Sequence, residues 1–355
     1  MHTPKLSMCE LTTNSMYIRN NIKELLPYST ARDDYKGGDI SVWLDANESP
    51  YNNGVNRYPD PHQKALKGEI ARLKGVSPEQ VFIGNGSDEA IDLCFRIFCE
   101  PGIDNVVAIA PTYGMYAVAA AINNVAVREV PLEAETYALN VPAMLAATDA
   151  HTRLMWVCSP NNPTGNAFSL QQLETLADNF DGVLVVDEAY ADFSSQPSML
   201  TMLDKHPNVV VLQTLSKAWG MAGLRLGLAF ASPLIADIFA RVKYPYNVNA
   251  PTQVEVAKRL HDEPHDAHVA EVCAQRQWLA AELAKLPCVL KVYHSDANFL
   301  LVKVTGADAI YDHLVAKGII VRNRHRVKGC EGCLRITVGT PQENVNVIDA
   351  LKQYV

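Results

Sequence analysis

Four runs of this chain, NVVAIAP (105–111), RLMWVCSP (153–160), GVLVVDEAY (182–190) and NVVVLQTLSK (208–217), stay apolar for several residues before polar groups appear. A strand with one face in water alternates apolar and polar positions; a strand covered on both faces does not. Such runs, interleaved with helical periods, predict a parallel sheet buried between helices, an α/β fold. QVFIG (80–84) reads as a further strand, and in the SDEAIDLCFRIF beyond it Ile91, Cys94, Phe95 and Phe98 share one helical face.

Beyond about residue 250 the texture changes. A long helical stretch (roughly 252–286) leads to VLKVYHS, ANFLLVKV, a helix near 307–317, then IIVRNRH, GCLRITVG and a last helix. This predicts a smaller α+β domain over 251–355, a large domain over 51–250, and an N-terminal arm over 1–50 that partly packs with the small domain. A chain of 355 residues can bury a core in each. A cleft between the two is the expected site.

Hydrophobic residues make up 48% and charged residues 20%, with a formal net charge of −8. That balance fits a soluble protein and argues against nucleic acid or an anionic membrane as partner. No stretch reaches the roughly 18 apolar residues of a span, and the start lacks a signal-peptide pattern, so a cytoplasmic location is expected. The eight cysteines then read as mostly buried thiols. CEGC (330–333) resembles half a zinc site, but no second pair or histidine cluster completes it, and no metal is expected.

Open α/β sheets bind ligands at the carboxyl ends of their strands, and here those ends carry polar residues. In GNGSDEA, Ser87 suits a helix N-cap with Asp88 in the first turn, and free amides there can hold a phosphate. The third glycine of a dinucleotide fingerprint is missing. Tyr113 in APTYGMY can wall a pocket or simply pack. SPNNPTG (159–165) is a turn offering neutral asparagine donors. Asp187 follows four apolar residues, and a buried carboxylate is costly unless donors or a cation meet it. It either caps a helix or faces a cationic ligand nitrogen. In TLSKAWGMAGLRLG (214–227), Lys217 sits among small apolar residues. Lost hydration lowers the pKa of such an amine, as a Schiff-base lysine requires. Thr214, Ser216 and Arg225 offer hydroxyls and a guanidinium to a phosphate. An amine, a carboxylate, a phosphate cradle and an aromatic wall are what pyridoxal 5′-phosphate needs.

The ordered set SPNNPTG, VVDEAY, TLSKAWGMAGLRLG and GCLRITVG resembles the aspartate-aminotransferase superfamily of pyridoxal-phosphate enzymes. With LDANESP, RYPDP, GNGSDEAID, FCEPG and PTYGMY added, the chain is closely similar to the histidinol-phosphate aminotransferases from about Tyr28 to its end. The resemblance implies an aminotransferase-like large domain, its mostly parallel sheet covered by helices, plus a smaller α+β domain. It implies that Lys217 carries the cofactor and shuttles a proton, and that Asp187 keeps the ring nitrogen protonated. Asn162 and Tyr190 would bond the phenolic oxygen, and Tyr113 would stack on the ring. Ser87, Asp88, Thr214, Ser216 and Arg225 would take the phosphate, joined by Tyr58 from the neighbouring subunit of a homodimer with shared active sites. Arg335 matches the arginine that accepts a phosphate in one half-reaction and a carboxylate in the other. Arg322 and Tyr28 match positions that meet the substrate phosphate, and Asn47 a pocket position. The other charges of RNRHRVKG are expected to be solvated.

The implied reaction converts histidinol phosphate and 2-oxoglutarate to imidazole acetol phosphate and glutamate, ping-pong through pyridoxamine phosphate. An aromatic-amino-acid aminotransferase and a threonine-phosphate decarboxylase are alternatives on the same scaffold. A ligand-sensing regulator would need a DNA-binding region, and only about 27 residues precede the matching segment.

Overall fold

The computed structural model describes residues 18–30, 41–262 and 264–354. Seven strands make the large sheet: β1 (Val81–Asn85), β2 (Asn105–Ala110), β3 (Ala126–Pro131), β4 (Thr152–Cys158), β5 (Val183–Asp187), β6 (Val209–Thr214) and β7 (Leu226–Ala231). Their order is β1-β7-β6-β5-β4-β2-β3. Every neighbouring pair is parallel except those of β7, which runs antiparallel to β1 and β6. The four apolar runs are β2, β4, β5 and β6, and their lack of alternation has a direct cause. Leu184, Val186, Val209 and Val211 enter the core on one face, while Val183, Val185, Val210 and Leu212 enter the core on the other. Helix Ser87–Phe98 buries Ile91, Cys94, Phe95 and Phe98 in that second core.

The small sheet holds β8 (Val289–Val292), β9 (Phe299–Val304), β10 (Arg322–Asn323) and β11 (Cys333–Thr337), in the order β10-β11-β9-β8 and antiparallel throughout. Leu279, Leu300, Val302, Ile310, Leu334 and Ile336 form its own core with the helices beside it. Tyr293, Leu301, Cys330 and Cys333 instead join the core of the large sheet, so the CEGC thiols help pack the two domains together. Of the arm expected to join the small domain, Ile18 is buried on the large domain and the Arg19 amide donates to Ile97 O at 3.0 Å. Residues 1–17 and 31–40 lie outside the described residues.

Candidate active site

The carboxyl ends of β4, β5 and β6 open into a cavity of about 380 Å³, closed from the far side by the small sheet. Ser87, Asp88, Tyr113, Asn162, Asp187, Tyr190, Thr214, Ser216, Lys217, Arg225, Arg322 and Arg335 all line it. A larger cleft of about 490 Å³ shares the Tyr113 wall but has neither Lys217 nor Asp187 in its lining.

Asp187 ends β5 and is 3% exposed. Its Oδ2 accepts from the Tyr116 hydroxyl at 2.6 Å and its Oδ1 from the Ala189 amide at 3.1 Å. Burial nevertheless pushes this carboxyl above its usual value, opposed by those two bonds and by Lys217. A desolvated acid that faces a cavity is stabilised by a cation placed there. Neighbouring Glu188 is absent from the lining and takes three donors, from Ser198, Met199 and Gln213. One of two adjacent acids is thus structural, the other presented to a ligand.

Lys217 differs from expectation. The small-residue loop does not bury it; its side chain is exposed in the cleft, with Nζ 5.8 Å from the centre of the Tyr190 ring. The cleft walls still strip water from the amine, Arg335 and Arg225 oppose its charge, and Asp187 and Asp88 partly restore it. The net effect holds it below the usual lysine value. Desolvation is the larger cause and repulsion from the arginines adds to it, both favouring the free amine. The Tyr190 phenol, 7% exposed and set edge-on against Phe299, is raised by burial. Tyr113 donates to Asp88 Oδ1 at 3.2 Å, and burial with that carboxylate pushes it up to about 12.

The anion cradle comes from three backbones. Helix Ser87–Phe98 begins after Gly86 at φ 78°, and a Cβ at Gly86 would stand 2.6 Å from the Arg225 guanidinium. Arg225 itself is left-handed, at φ 52°. The loop that carries Lys217 leaves β6 and returns on antiparallel β7, where Gly227 pairs with Thr214. There a Cβ at Gly227 would lie 2.0 Å from the Ser87 amide nitrogen. Thr214 Oγ1 accepts the Ser216 amide at 3.1 Å. First-turn amides, two hydroxyls and one guanidinium around a space that only glycine leaves open fit a phosphate. Gly227→Ala drives a methyl into backbone, so the urea unfolding midpoint should fall by an amount equivalent to about 1–3 kcal/mol. The same variant should need more pyridoxal phosphate for half-saturation.

Opposite the cradle stand the cations of the small sheet. Arg322 and Arg335 are direct partners across β10 and β11. Arg335 Nη1 donates to Asn162 Oδ1 at 2.5 Å, and its guanidinium lies 5.1 Å from the Phe299 ring centre. Tyr28, Asn47 and Tyr58 do not join this cavity within one chain. Tyr28 is 74% exposed, while Asn47 and Tyr58 line a separate cleft where Tyr58 stacks on Tyr246 at 4.4 Å. Two residues that the sequence did not single out do belong to the site: Tyr116, which holds Asp187, and Arg324, in the cavity wall. Tyr116 stands three residues after Tyr113 in the same PTYGMY, a spacing that brings side chains to one side of a helix start.

A lysine, a buried acid and a phosphate cradle at the carboxyl ends of a mostly parallel sheet define a pyridoxal-phosphate-dependent enzyme. The family model described as "Aminotransferase class I and II" matches residues 31–351. The chain belongs to that family. It is 54% identical over 337 residues to the histidinol-phosphate aminotransferase of Bacteroides thetaiotaomicron, covering 95% of this chain and 97% of that one. With the enzyme of the same name from Parabacteroides distasonis it shares 53% over 336 residues, covering 94% and 97%. A crystal structure of histidinol-phosphate aminotransferase from Sinorhizobium meliloti in complex with pyridoxal-5′-phosphate superposes with a TM-score of 0.74 at 25% identity, over 84% of this chain and 82% of that one.

Proposed function

We propose that this chain transfers the amino group of L-histidinol phosphate to 2-oxoglutarate, yielding imidazole acetol phosphate and L-glutamate for histidine biosynthesis. What carries the reading is one cleft joining Lys217 and Asp187 to the facing arginines of the small sheet, in a chain 54% identical to an enzyme named for that reaction. Bound pyridoxal 5′-phosphate supplies a carbonyl for amines and a ring that withdraws the charge left when a proton leaves the substrate carbon. Ser87 and Asp88 amides, Thr214, Ser216 and Arg225 hold its phosphate. Asp187, oriented by Tyr116, keeps a proton on the ring nitrogen. Asn162 and Tyr190 bond the ring oxygen, and Tyr113 bounds the ring. Lys217 Nζ would take the proton from the substrate carbon and deliver it to the cofactor within the same half-reaction, the reverse transfer serving the second. Arg335 accepts a phosphate from one substrate and a carboxylate from the other, which one pocket must do in a two-substrate exchange, and Arg322 meets the substrate phosphate.

The deciding assay supplies purified, cofactor-loaded protein with histidinol phosphate and 2-oxoglutarate. Glutamate formation supports the reading. A folded, loaded protein that forms none rejects it, and parallel reactions with phenylalanine and threonine phosphate test the two alternatives.

The active unit in this reading is a homodimer. Val55, 63% exposed, lines the cleft of Tyr58, Leu44 and Tyr51 of the same segment are 88% and 82% exposed, and Tyr244 is 78% exposed two residues before Tyr246, the stacking partner of Tyr58. Apolar display on that scale invites a covering surface. A second copy there brings Tyr58 to the partner's phosphate cradle. Sedimentation should give twice the chain mass. Mixing Lys217→Ala with Tyr58→Ala chains should restore activity to about one quarter of wild type, because half the dimers are mixed and each holds one intact site. We assign the reaction to the cytoplasm. Among the described residues no helix is long and apolar enough to cross a membrane, and all seven described cysteines are free, as in a reducing compartment.

A further inference from the structure

Arg324 was expected to be a solvated charge of the run RNRHRVKG, and the fold gives it another place. The β10–β11 ladder continues one residue past β10, because the Arg324 amide donates to Cys333 O at 2.9 Å. Arg322 faces Arg335 and Asn323 faces Leu334 across that ladder. Strand alternation then returns Arg324 to the side of Arg322. Arg322, Arg324 and Arg335 all line the cavity.

No acid of the small sheet balances them there. The carboxylates in the lining are Asp88 and Asp187. Asp88 is engaged by Tyr113 and lies 3.9 Å from Arg225, while Asp187 is held by Tyr116 and the Ala189 amide. The Nε atoms of Arg324 and Arg335 are buried without a hydrogen-bond partner. Desolvation, then Arg335 and Arg322, draw the Arg324 guanidinium below its usual value. Like charges on paired strands repel, and buried donors without acceptors cost free energy. A wall of this kind is relieved by an anion with several oxygens. A carboxylate can be satisfied by one bidentate guanidinium, whereas a phosphate monoester carries about two charges and three free oxygens.

We propose that Arg324 is a specificity-determining residue of the amino-donor pocket, forming with Arg322 a two-guanidinium seat for a dianionic phosphate ester and so favouring phosphorylated donors over carboxylate ones. The inference rests on the proposed function for the identity of the donor. The seat itself belongs to this chain's arginines.

The test uses cofactor-loaded wild type, Arg324→Gln and Arg324→Lys, each checked for fold by circular dichroism and for cofactor by absorbance. The glutamine variant should lose about 10–100-fold in kcat/KM for histidinol phosphate, mostly through KM. Its kcat/KM for glutamate should change less than about threefold, and the lysine variant should recover part of the loss. Calorimetric titration with inorganic phosphate should show weaker binding by a similar factor. Equal losses on both donors, or none on histidinol phosphate, overturn the seat. If wild type does not use histidinol phosphate at all, the proposed function falls and the phosphate titration alone decides: weaker binding in Arg324→Gln upholds the seat, unchanged binding removes it.

Discussion

Replacing Lys217 by alanine should leave a folded protein that takes up pyridoxal 5′-phosphate and transfers no amino group, with kcat reduced by at least about 10⁴-fold. Nothing else in the cleft can stand in. The other cations of the lining are arginines, which stay protonated at any working pH and cannot accept a proton. The fold should survive, because the side chain is exposed and makes no hydrogen bond or salt bridge among the described residues. Two measurements check this. Single-turnover mixing with histidinol phosphate reads the proton transfer. The visible absorbance of the loaded protein should shift from that of lysine-linked cofactor to that of the free aldehyde. Turnover within tenfold of wild type, at full cofactor occupancy, would falsify the role given to Lys217.

The second large effect belongs to Asp187→Asn, and it has two faces. Amide for carboxylate removes the charge proposed to keep the ring nitrogen protonated, and kcat should fall by about 10²–10⁴-fold while cofactor still binds. Stability should move the other way. The Asp187 carboxyl is raised in the folded protein, by desolvation foremost. A raised acid contributes stability that is complete below its unfolded value and is lost as pH climbs through the folded one. The uncharged amide escapes that loss and can still accept from the Tyr116 hydroxyl. Cofactor-free Asp187→Asn should therefore melt no lower than wild type at neutral pH, the two curves converging toward acid. A variant that is both inactive and clearly less stable at pH 7 would assign the carboxylate a structural duty instead.

Much of the fold could be read from hydrophobic pattern, because β2, β4, β5 and β6 are buried on both faces and their side chains have no reason to alternate. β7 was not legible. Its LGLAFA follows directly on the lysine loop, and its reversed direction depends on pairing with β1 and β6, which no local signal carries. Most site residues were legible because each ends a strand or starts a helix in an unusual small or polar context. The setting of Lys217 was misjudged for the opposite reason. Small neighbours leave room, and here the room is the cleft. Arg324 needed the register of β10 against β11 before alternation could place it. Tyr28, Asn47 and Tyr58 lie outside the cavity, Tyr28 exposed and the other two in a separate cleft, a placement that no local sequence signal carries.

The return of β7 beside β6 has a consequence for speed. Leu215 N donates to Leu226 O at 3.2 Å and Met221 N to Leu215 O at 3.0 Å, so the main chain under Lys217 is stapled at both ends of its loop. The amine can then swing between its partners by side-chain torsions alone, on the picosecond-to-nanosecond scale of exposed rotamers, with the peptide backbone standing still. The reach of the amine is thereby set by side-chain torsions about a hydrogen-bonded pivot.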